Sequence, residues 1–546
     1  MCKMNFKIYN TLSKKLEVFD PSNPSQVSFY TCGPTVYDDA HIGNFRSFLA
    51  ADLLRRWIES PLCTLKNEND SLDSSSRTVL QVMNITDVGH MTEDDNADGS
   101  GEDKMDLAAR RIEQAKKSGA IPPDEGIDPA DPFAIARYYE NRFKEDAIDL
   151  GLKVAIESID DPSLMPRATD NIENMKTVIE QLLTDNYAYP AGEPGSRAIY
   201  FDVQRFEKYG QLSGNTIDNL KGGAGGRTDD TNTQQKHHPA DFLLWKEDST
   251  HKMKWNSPSV IGSDGKPEQW GQGYPGWHIE CTAMALARLA EGNLEGAHKS
   301  HAQIDLHSGG KDNIFPHHEC EIAQSCCFTG NDSFARHWFH PRFLKVEGQK
   351  MSKSKGTMYT LRDLTAKGID PATIRLELIK THYRANADFS MQGLKDSART
   401  VDRWRKFIEA GAQGELGSIN EPVRDAVAGA MNDDLNIAGA LGVINKWIKD
   451  TQAPTQADAE LFKLFDSFLG VLSLKQLEQS KSDSGIALYQ PGVTPSDEIE
   501  QLLIQRRDAK ASKDWASADT IRDQLNAMGF SIMDKPQGKV EVAPIN

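Results

Sequence analysis

The stretch SFYTCGPTVY closes on a tight Gly33-Pro34 turn and is followed by NFRSFLAADLLRRWIES and then by RTVLQVMNITDVG. The first and third segments carry the β-branched and aromatic residues of strands. In the middle segment Phe45, Phe48, Leu49, Ala51, Leu53 and Leu54 gather towards one side of a helix. Strand, turn, helix and strand in this order predict an α/β fold on a parallel sheet, with its ligand beyond the carboxyl ends of the strands.

The chain has 546 residues, enough for about three or four domains. It is 38% hydrophobic and 26% charged, and no apolar run is long enough to cross a bilayer. MCKMNFKIYN has neither an apolar signal core nor an Arg/Ser-rich transit pattern, so a cytoplasmic location and no membrane partner are expected. Seven cysteines, thinly spread, argue against a disulfide framework. The net charge of −18 lowers the expectation of a nucleic-acid partner without excluding one, because binding depends on local patches.

Polar stretches interrupt the pattern. LKNENDSLDSSSR, TEDDNADGSGED and KGGAGGRTDDTNTQQKHH are expected as surface insertions, with His237 and His238 exposed rather than ligating. Residues from about Asp131 to Ala240 look like a mixed insertion splitting the first domain. Beyond Phe389 the pattern is mainly helical, as in DSARTVDRWRKFIEA and MNDDLNIAGALGVINKWIKD. SLKQLEQSKSDSGIALYQPGVTPSDE is expected to be a linker, followed by the helix SKDWASADTIRDQLNAMG and a tail with strand character.

Two motifs point to phosphate chemistry. HIGN, His41 to Asn44, lies at a strand-to-helix junction, where free N–H groups and the helix dipole favour an anion. By itself it is more often a cap and turn. Lys350-Met351-Ser352-Lys353-Ser354-Lys355-Gly356 is a cationic loop of the kind that stabilises a leaving pyrophosphate. Cys32, Cys281, His317 and Glu321 are four zinc-type donors far apart in the chain. Pro316 suits the first turn of a helix, and His317 and Glu321, four apart, would share a face. Cys320, three residues from His317 and softer than a carboxylate, is a rival that generic zinc chemistry slightly favours over Glu321.

HIGN followed some three hundred residues later by KMSKS resembles the paired signatures of class I aminoacyl-tRNA synthetases. Asn44 replaces the imidazole of the usual HIGH; an amide donates a hydrogen bond but carries no charge. TCGPTVYDDAHIG, VMNITDVG, GWHIECTAM, LHSGGKDNIFPHHECEIAQS and KVEGQKMSKSKG together look like the cysteinyl-tRNA synthetase family, and the likeness continues in WASADTIRDQLNAMGFSIMDKPQG. It implies a Rossmann-like catalytic domain in two halves, 1–130 and 256–340, split by an insertion at 131–255. The KMSKS and stem-contact region (341–395), a helical tRNA-binding bundle (396–475), a linker (476–489) and a small anticodon-recognition domain (490–546) follow.

The same resemblance assigns one Zn²⁺ to Cys32, Cys281, His317 and Glu321, choosing Glu321 over Cys320. It assigns phosphate chemistry to His41, Asn44, Lys350 and Lys353. ATP, with Mg²⁺, would meet Gly43, Gly310, Asp312 and Lys353. Thr86, Trp277 and His278 would line the pocket for L-cysteine. The implied partner is the tRNA for cysteine, with Arg399, Arg403, Arg405 and Lys406, and Arg506, Arg507, Lys510 and Lys513, as candidate basic faces on a monomer. Cys2, Cys63, Cys326 and Cys327 are expected to be ordinary thiols. A related ligase that passes cysteine to an amino-sugar resembles only the catalytic half, so residues 490–546 argue against it.

Overall fold

The computed structural model describes residues 5–66, 72–73, 77–88, 104–119, 121, 126–217, 235–262, 265–268, 270–290, 294–351, 357–474, 482–483, 487–489, 493, 496–512, 514–534 and 540–544. The expected βαβ unit is present. β1 (Gln26–Thr31) passes through the Gly33-Pro34 turn into α1 (Ile42–Glu59), which returns to β2 (Thr78–Met83). β2 runs parallel to β1, with Gln26 opposite Thr78 and Thr31 opposite Met83. Much later come α2 (Trp277–Leu289), β3 (Ile304–Ser308), α3 (His317–Thr329) and β4 (Ala335–Phe339).

Among the described residues these strands form one parallel sheet in the order β4-β3-β1-β2. The central neighbours β1 and β3 lead to flanking strands on opposite sides, which makes the gap beyond their carboxyl ends a topological switch point. Alternation along β1 covers both faces: Val27 and Phe29 join the core that contains α1, while Tyr30 joins that of α2 and α3. Parallel sheets are stable when covered in this way.

Between β2 and β3 lies an antiparallel sheet whose strands run Trp255–Asn256, Gln272–Pro275, Phe242–Glu247, Ala198–Phe201 and Ala188–Ala191 in spatial order. Its strand Gln272–Pro275 ends one residue before α2, so the insertion delivers α2 to the main sheet. His237 is exposed and stacks on Tyr189 at 3.6 Å, but His238 is buried, its Nδ1 accepting from the Ala240 N–H at 3.1 Å. The expected exposure of the pair thus holds for His237 alone. Residues 221–234 of that polar stretch lie outside the described residues.

Helix α4 (Pro371–Ile379) and the bundle Met391–Ala412, Glu421–Asn432, Ile437–Asp450 and Gln456–Leu469 continue the α1 core. Ser390, Asn420, Asn436 and Thr455 each accept a bond from the first turn of the bundle helix that follows, the capping these residue types favour. Trp57 of α1 meets Phe468 edge-on at 5.2 Å. A buried polar tie is Arg375, which donates to Asp52 of α1 at 2.6 Å and to the carbonyls of Leu469 and Leu150 at 2.8 Å each. Those carbonyls lie at helix C-terminal ends, where a cation is favoured.

The C-terminal unit has its own core, including Tyr489, Leu503, Leu525 and Val542. Its sheet, in the order Ser482–Asp483, Ala487–Tyr489, Val540–Pro544 and Phe530–Asp534, packs with helices Asp497–Ala511 and Trp515–Ala527. Ala487–Tyr489, inside the span expected to be a linker, pairs in parallel with Val540–Val542. The expected basic faces are partly consumed by the fold. Arg506 and Lys510 both bind Asp534 at 2.8 Å, Arg507 pairs with Asp508, and Arg405 holds Asp370 at 2.7 Å. Lys513 lies outside the described residues.

Burial opposes ionisation of Asp52, but Arg56 and Arg375 hold its carboxyl well below the usual carboxylate range. The stabilisation is therefore present above the unfolded-state pKa of about 3.9 and is lost as pH falls through the lower folded value. Arg375→Met removes the fully buried partner of Asp52 but leaves Arg56 at 2.7 Å, and is expected to lower unfolding free energy by about 2–3 kcal/mol, the worth of a charged hydrogen bond. Urea denaturation at pH 7 measures this; a loss below about 1 kcal/mol would mean that Asp52 finds a substitute partner.

Candidate active site and metal centre

Cys32 follows β1 directly, and its N–H donates to the Ser308 carbonyl at the end of β3 at 2.9 Å. One more rung of the central ladder thus carries this thiol to the switch point. Cys281 lies on α2, and His317 and Glu321 lie one turn apart on α3, whose residues are all buried. Pro316 occupies the cap position, just before the helix rather than within its first turn. The four donor atoms come together: Cys32 Sγ is 3.7 Å from Cys281 Sγ and 3.7 Å from Glu321 Oε1, and His317 Nε2 is 3.0 Å from Glu321 Oε1.

These separations suit one tetrahedral zinc ion, whose bonds of about 2.3 Å to sulfur put two sulfurs about 3.8 Å apart. A second set, Cys32, His307, His318 and Glu321, shares two of the donors. The first set offers two thiols to a cation of intermediate softness, which favours it. In the first set, His307 Nε2 holds the other Glu321 oxygen at 2.8 Å, as an outer partner orients a ligating carboxylate. His318 reaches Cys32 Sγ at 3.2 Å and His340 at 2.7 Å. Gly309 permits this packing, since a Cβ there would lie 2.6 Å from the His318 ring.

Cys320, the rival by spacing, turns away: its Sγ meets the Tyr209 hydroxyl at 3.4 Å. Beside it the Glu319 carboxylate accepts from the N–H groups of Gly210 at 2.9 Å and Ser213 at 2.8 Å. The run Glu319-Cys320-Glu321 thus divides between anchoring a loop and entering the cluster. His307, His318 and His340 are the site residues that sequence reasoning did not single out. The available signal was their crowding near the proposed ligands, in LHSGG, FPHHE and WFHP.

Burial pushes the thiols of both Cys32 and Cys281 up. Burial also holds His318 well below its ordinary range and lowers His340 to about 3. Burial thus favours the neutral forms of these two thiols and two imidazoles, a preference that a bound cation would reverse for the thiols. Trp277 stacks on His317 at 4.2 Å, and His278 Nδ1 lies 3.0 Å from His317 Nδ1, so both proposed pocket residues adjoin the cluster. Thr86 is tied to the loop after β1, its N–H donating to the Pro34 carbonyl at 3.0 Å and its own carbonyl accepting from Val36 at 3.1 Å.

HIGN caps α1. His41 Nδ1 accepts from the N–H groups of Gly43 at 3.1 Å and Asn44 at 3.2 Å, and Asn44 Oδ1 accepts from the His41 N–H at 3.1 Å. The second signature arrives beside it. Met351 packs on Gly43, where any Cβ would collide with its methyl group, and Tyr359 accepts from the Ile42 N–H at 2.9 Å. Lys350 ends the strand Gln349–Lys350, while Lys353 lies outside the described residues. The Asp312 carboxylate folds back over Gly310, with the Ser47 hydroxyl of α1 on the same side. Cys63, Cys326 and Cys327 are buried and free, and Cys2 lies outside the described residues.

A zinc ion entering this cluster would have to displace protons from two thiols that burial keeps protonated. Its apparent affinity is therefore expected to fall with pH, by up to about two protons per ion. Chelator competition between pH 6 and pH 8 measures this, and a pH-independent affinity would contradict thiolate ligation. Cys281→Ser and Glu321→Ala should lose the metal and Cys320→Ala should retain it; the reverse order in metal analysis would overturn the ligand set.

Residues 18–399 match the family described as the tRNA synthetases class I (C) catalytic domain, and residues 495–540 match the cysteinyl-tRNA ligase anticodon binding domain. The cysteine–tRNA ligase of Salinibacter ruber is 36% identical, with 98% of this chain and 97% of that relative covered. That of Chlorobaculum tepidum is 35% identical with 97% of each covered, and that of Thermus thermophilus 34% with 98% of each. A solved Agrobacterium radiobacter K84 LeuRS, in a ternary complex with tRNA and LeuAMS, shares the fold at a TM-score of 0.54 and 11% identity, covering 96% of both chains. By the span and agreement of these matches, the chain belongs to the cysteinyl-tRNA ligase family of class I synthetases.

Proposed function

We propose that the chain activates L-cysteine with ATP, giving cysteinyl-adenylate and pyrophosphate, and then passes the cysteinyl group to the terminal ribose of the tRNA for cysteine. The observation that carries this reading is the buried Cys-Cys-His-Glu cluster at the switch point, where the carboxyl end of β1 leads into α1. Its family membership supports the same reaction.

Cys32, Cys281, His317 and Glu321 would hold zinc. When bound, the ion supplies a soft Lewis-acid site that favours a thiol over a hydroxyl. Trp277, His278 and Thr86 enclose the amino acid. Gly43, Gly310 and Asp312 place Mg-ATP across the first turns of α1, whose positive end favours phosphate. His41, Lys350 and Lys353 stabilise charge as the cysteine carboxylate attacks the α-phosphate and pyrophosphate leaves. No side-chain nucleophile takes part, so orientation and electrostatics supply the acceleration. The tRNA lies along the bundle of residues 396–475 and the small domain of 490–546, with contacts that weaken as salt rises.

The full chain loaded with zinc is expected to catalyse cysteine-dependent ATP–pyrophosphate exchange and to charge its tRNA. Serine should be rejected by roughly 10⁴–10⁵ in kcat/KM, since a site built around one polar contact refuses analogues that lack it. Exchange without cysteine dependence, or with serine within about tenfold of cysteine, would defeat this reading.

A further inference from the structure

The cap of α1 constrains more than the helix. In this inference, which rests on the proposed ATP chemistry, we propose that Asn44 is a positioning residue that holds His41 as the neutral Nε2–H tautomer, so that His41 meets the nucleotide as a hydrogen-bond donor rather than a cation.

The geometry leaves His41 Nδ1 one role. It faces two backbone N–H groups, those of Gly43 at 3.1 Å and Asn44 at 3.2 Å, and a ring nitrogen that accepts carries no proton. In the neutral ring the proton then resides on Nε2. Protonating Nδ1 would aim a third N–H at two others, at the positive end of α1. The ring approaches the first turn so closely that a Cβ on Gly43 would sit 3.0 Å from both Nδ1 and Cε1. Met351 closes the other side of the same glycine, so the close approach depends on residue 43 having no side chain.

Asn44 makes the arrangement reciprocal. Its backbone N–H supplies one of the two bonds to Nδ1, and its side-chain Oδ1 accepts from the His41 N–H at 3.1 Å. This second bond fixes His41 at φ −92° and ψ 165°, the extended cap conformation from which the ring folds back over the helix. An amide oxygen remains an acceptor at every working pH, whereas an imidazole at position 44 would lose that capacity on protonation. Asn44 therefore supplies at this position an acceptor bond that does not titrate.

The test uses the full chain labelled with ¹⁵N-histidine, His41 being assigned by difference against a His41→Gln sample. In the free protein at neutral pH, the His41 Nδ1 resonance should be that of an unprotonated nitrogen and Nε2 that of a protonated one. Asn44→Gln, which keeps an amide acceptor, should preserve this pattern. Asn44→Leu should mix the tautomers and lower kcat for pyrophosphate exchange by up to about tenfold, the equivalent of one hydrogen bond, with the KM for cysteine unchanged. In an Asn44→His variant the tautomer should hold at pH 8 and be lost towards pH 5.5. A protonated His41 Nδ1 in the parent protein, or an unaltered tautomer in Asn44→Leu, would overturn the proposal. The tautomer is read without substrates, so it stands or falls separately from the proposed reaction.

Discussion

The pairing of β1 with β3 is the constraint on which the site depends. Ser308 opposes Thr31, and the Cys32 N–H continues that ladder to the Ser308 carbonyl at 2.9 Å. Side chains alternate along a strand, so a slip of one residue would turn Cys32 from the α2–α3 side to the α1 side. The sheet's two buried faces resist such a slip, because Val27, Phe29 and Tyr30 would all change cores with it. One register thus brings together donors drawn from positions 32, 281, 317 and 321.

The surroundings of the cluster are polar yet buried, which is stable only when the groups bond one another. Cys32–His318, His318–His340 and His340–Thr11 form such a chain at 2.7 to 3.2 Å, and Cys32 meets the separate His307–Glu321 pair at 3.7 Å. The chain runs from the centre of the sheet to the loop at Thr11, and with the pair it orients Cys32 and Glu321 before any ion arrives. On the other side of the sheet, Arg375 joins α1 to the bundle through Asp52 and two helix C-terminal ends. The helix that HIGN caps thus shares one buried core with the helical half.

Much of this was legible in the residues. The βαβ unit followed from local pattern, and the two phosphate motifs and four donors were visible as types in order. What the sequence could not decide were matters of tertiary direction. His317 lies on one face with both Cys320 and Glu321 at helical spacing, and only the loop of residues 209–213, engaging Glu319 and Cys320, separates them. The basic appearance of Arg506 and Lys510 concealed Asp534, which is distant in sequence and close in space. Ala487–Tyr489 resembled a linker because its parallel partner lies some fifty residues on, beyond two helices. His238 looked solvent-facing within a polar run, and its burial comes from the turn into the strand Phe242–Glu247.

The central claim, that zinc held by Cys32, Cys281, His317 and Glu321 selects a thiol, is tested most directly by X-ray absorption at the zinc edge of the full chain without ATP. Two protein sulfurs are expected around the ion in the free protein. L-cysteine should raise the sulfur number to three, and L-serine at the same concentration should leave it at two. A sulfur shell that does not respond to L-cysteine would contradict the claim and leave the metal with a purely structural task.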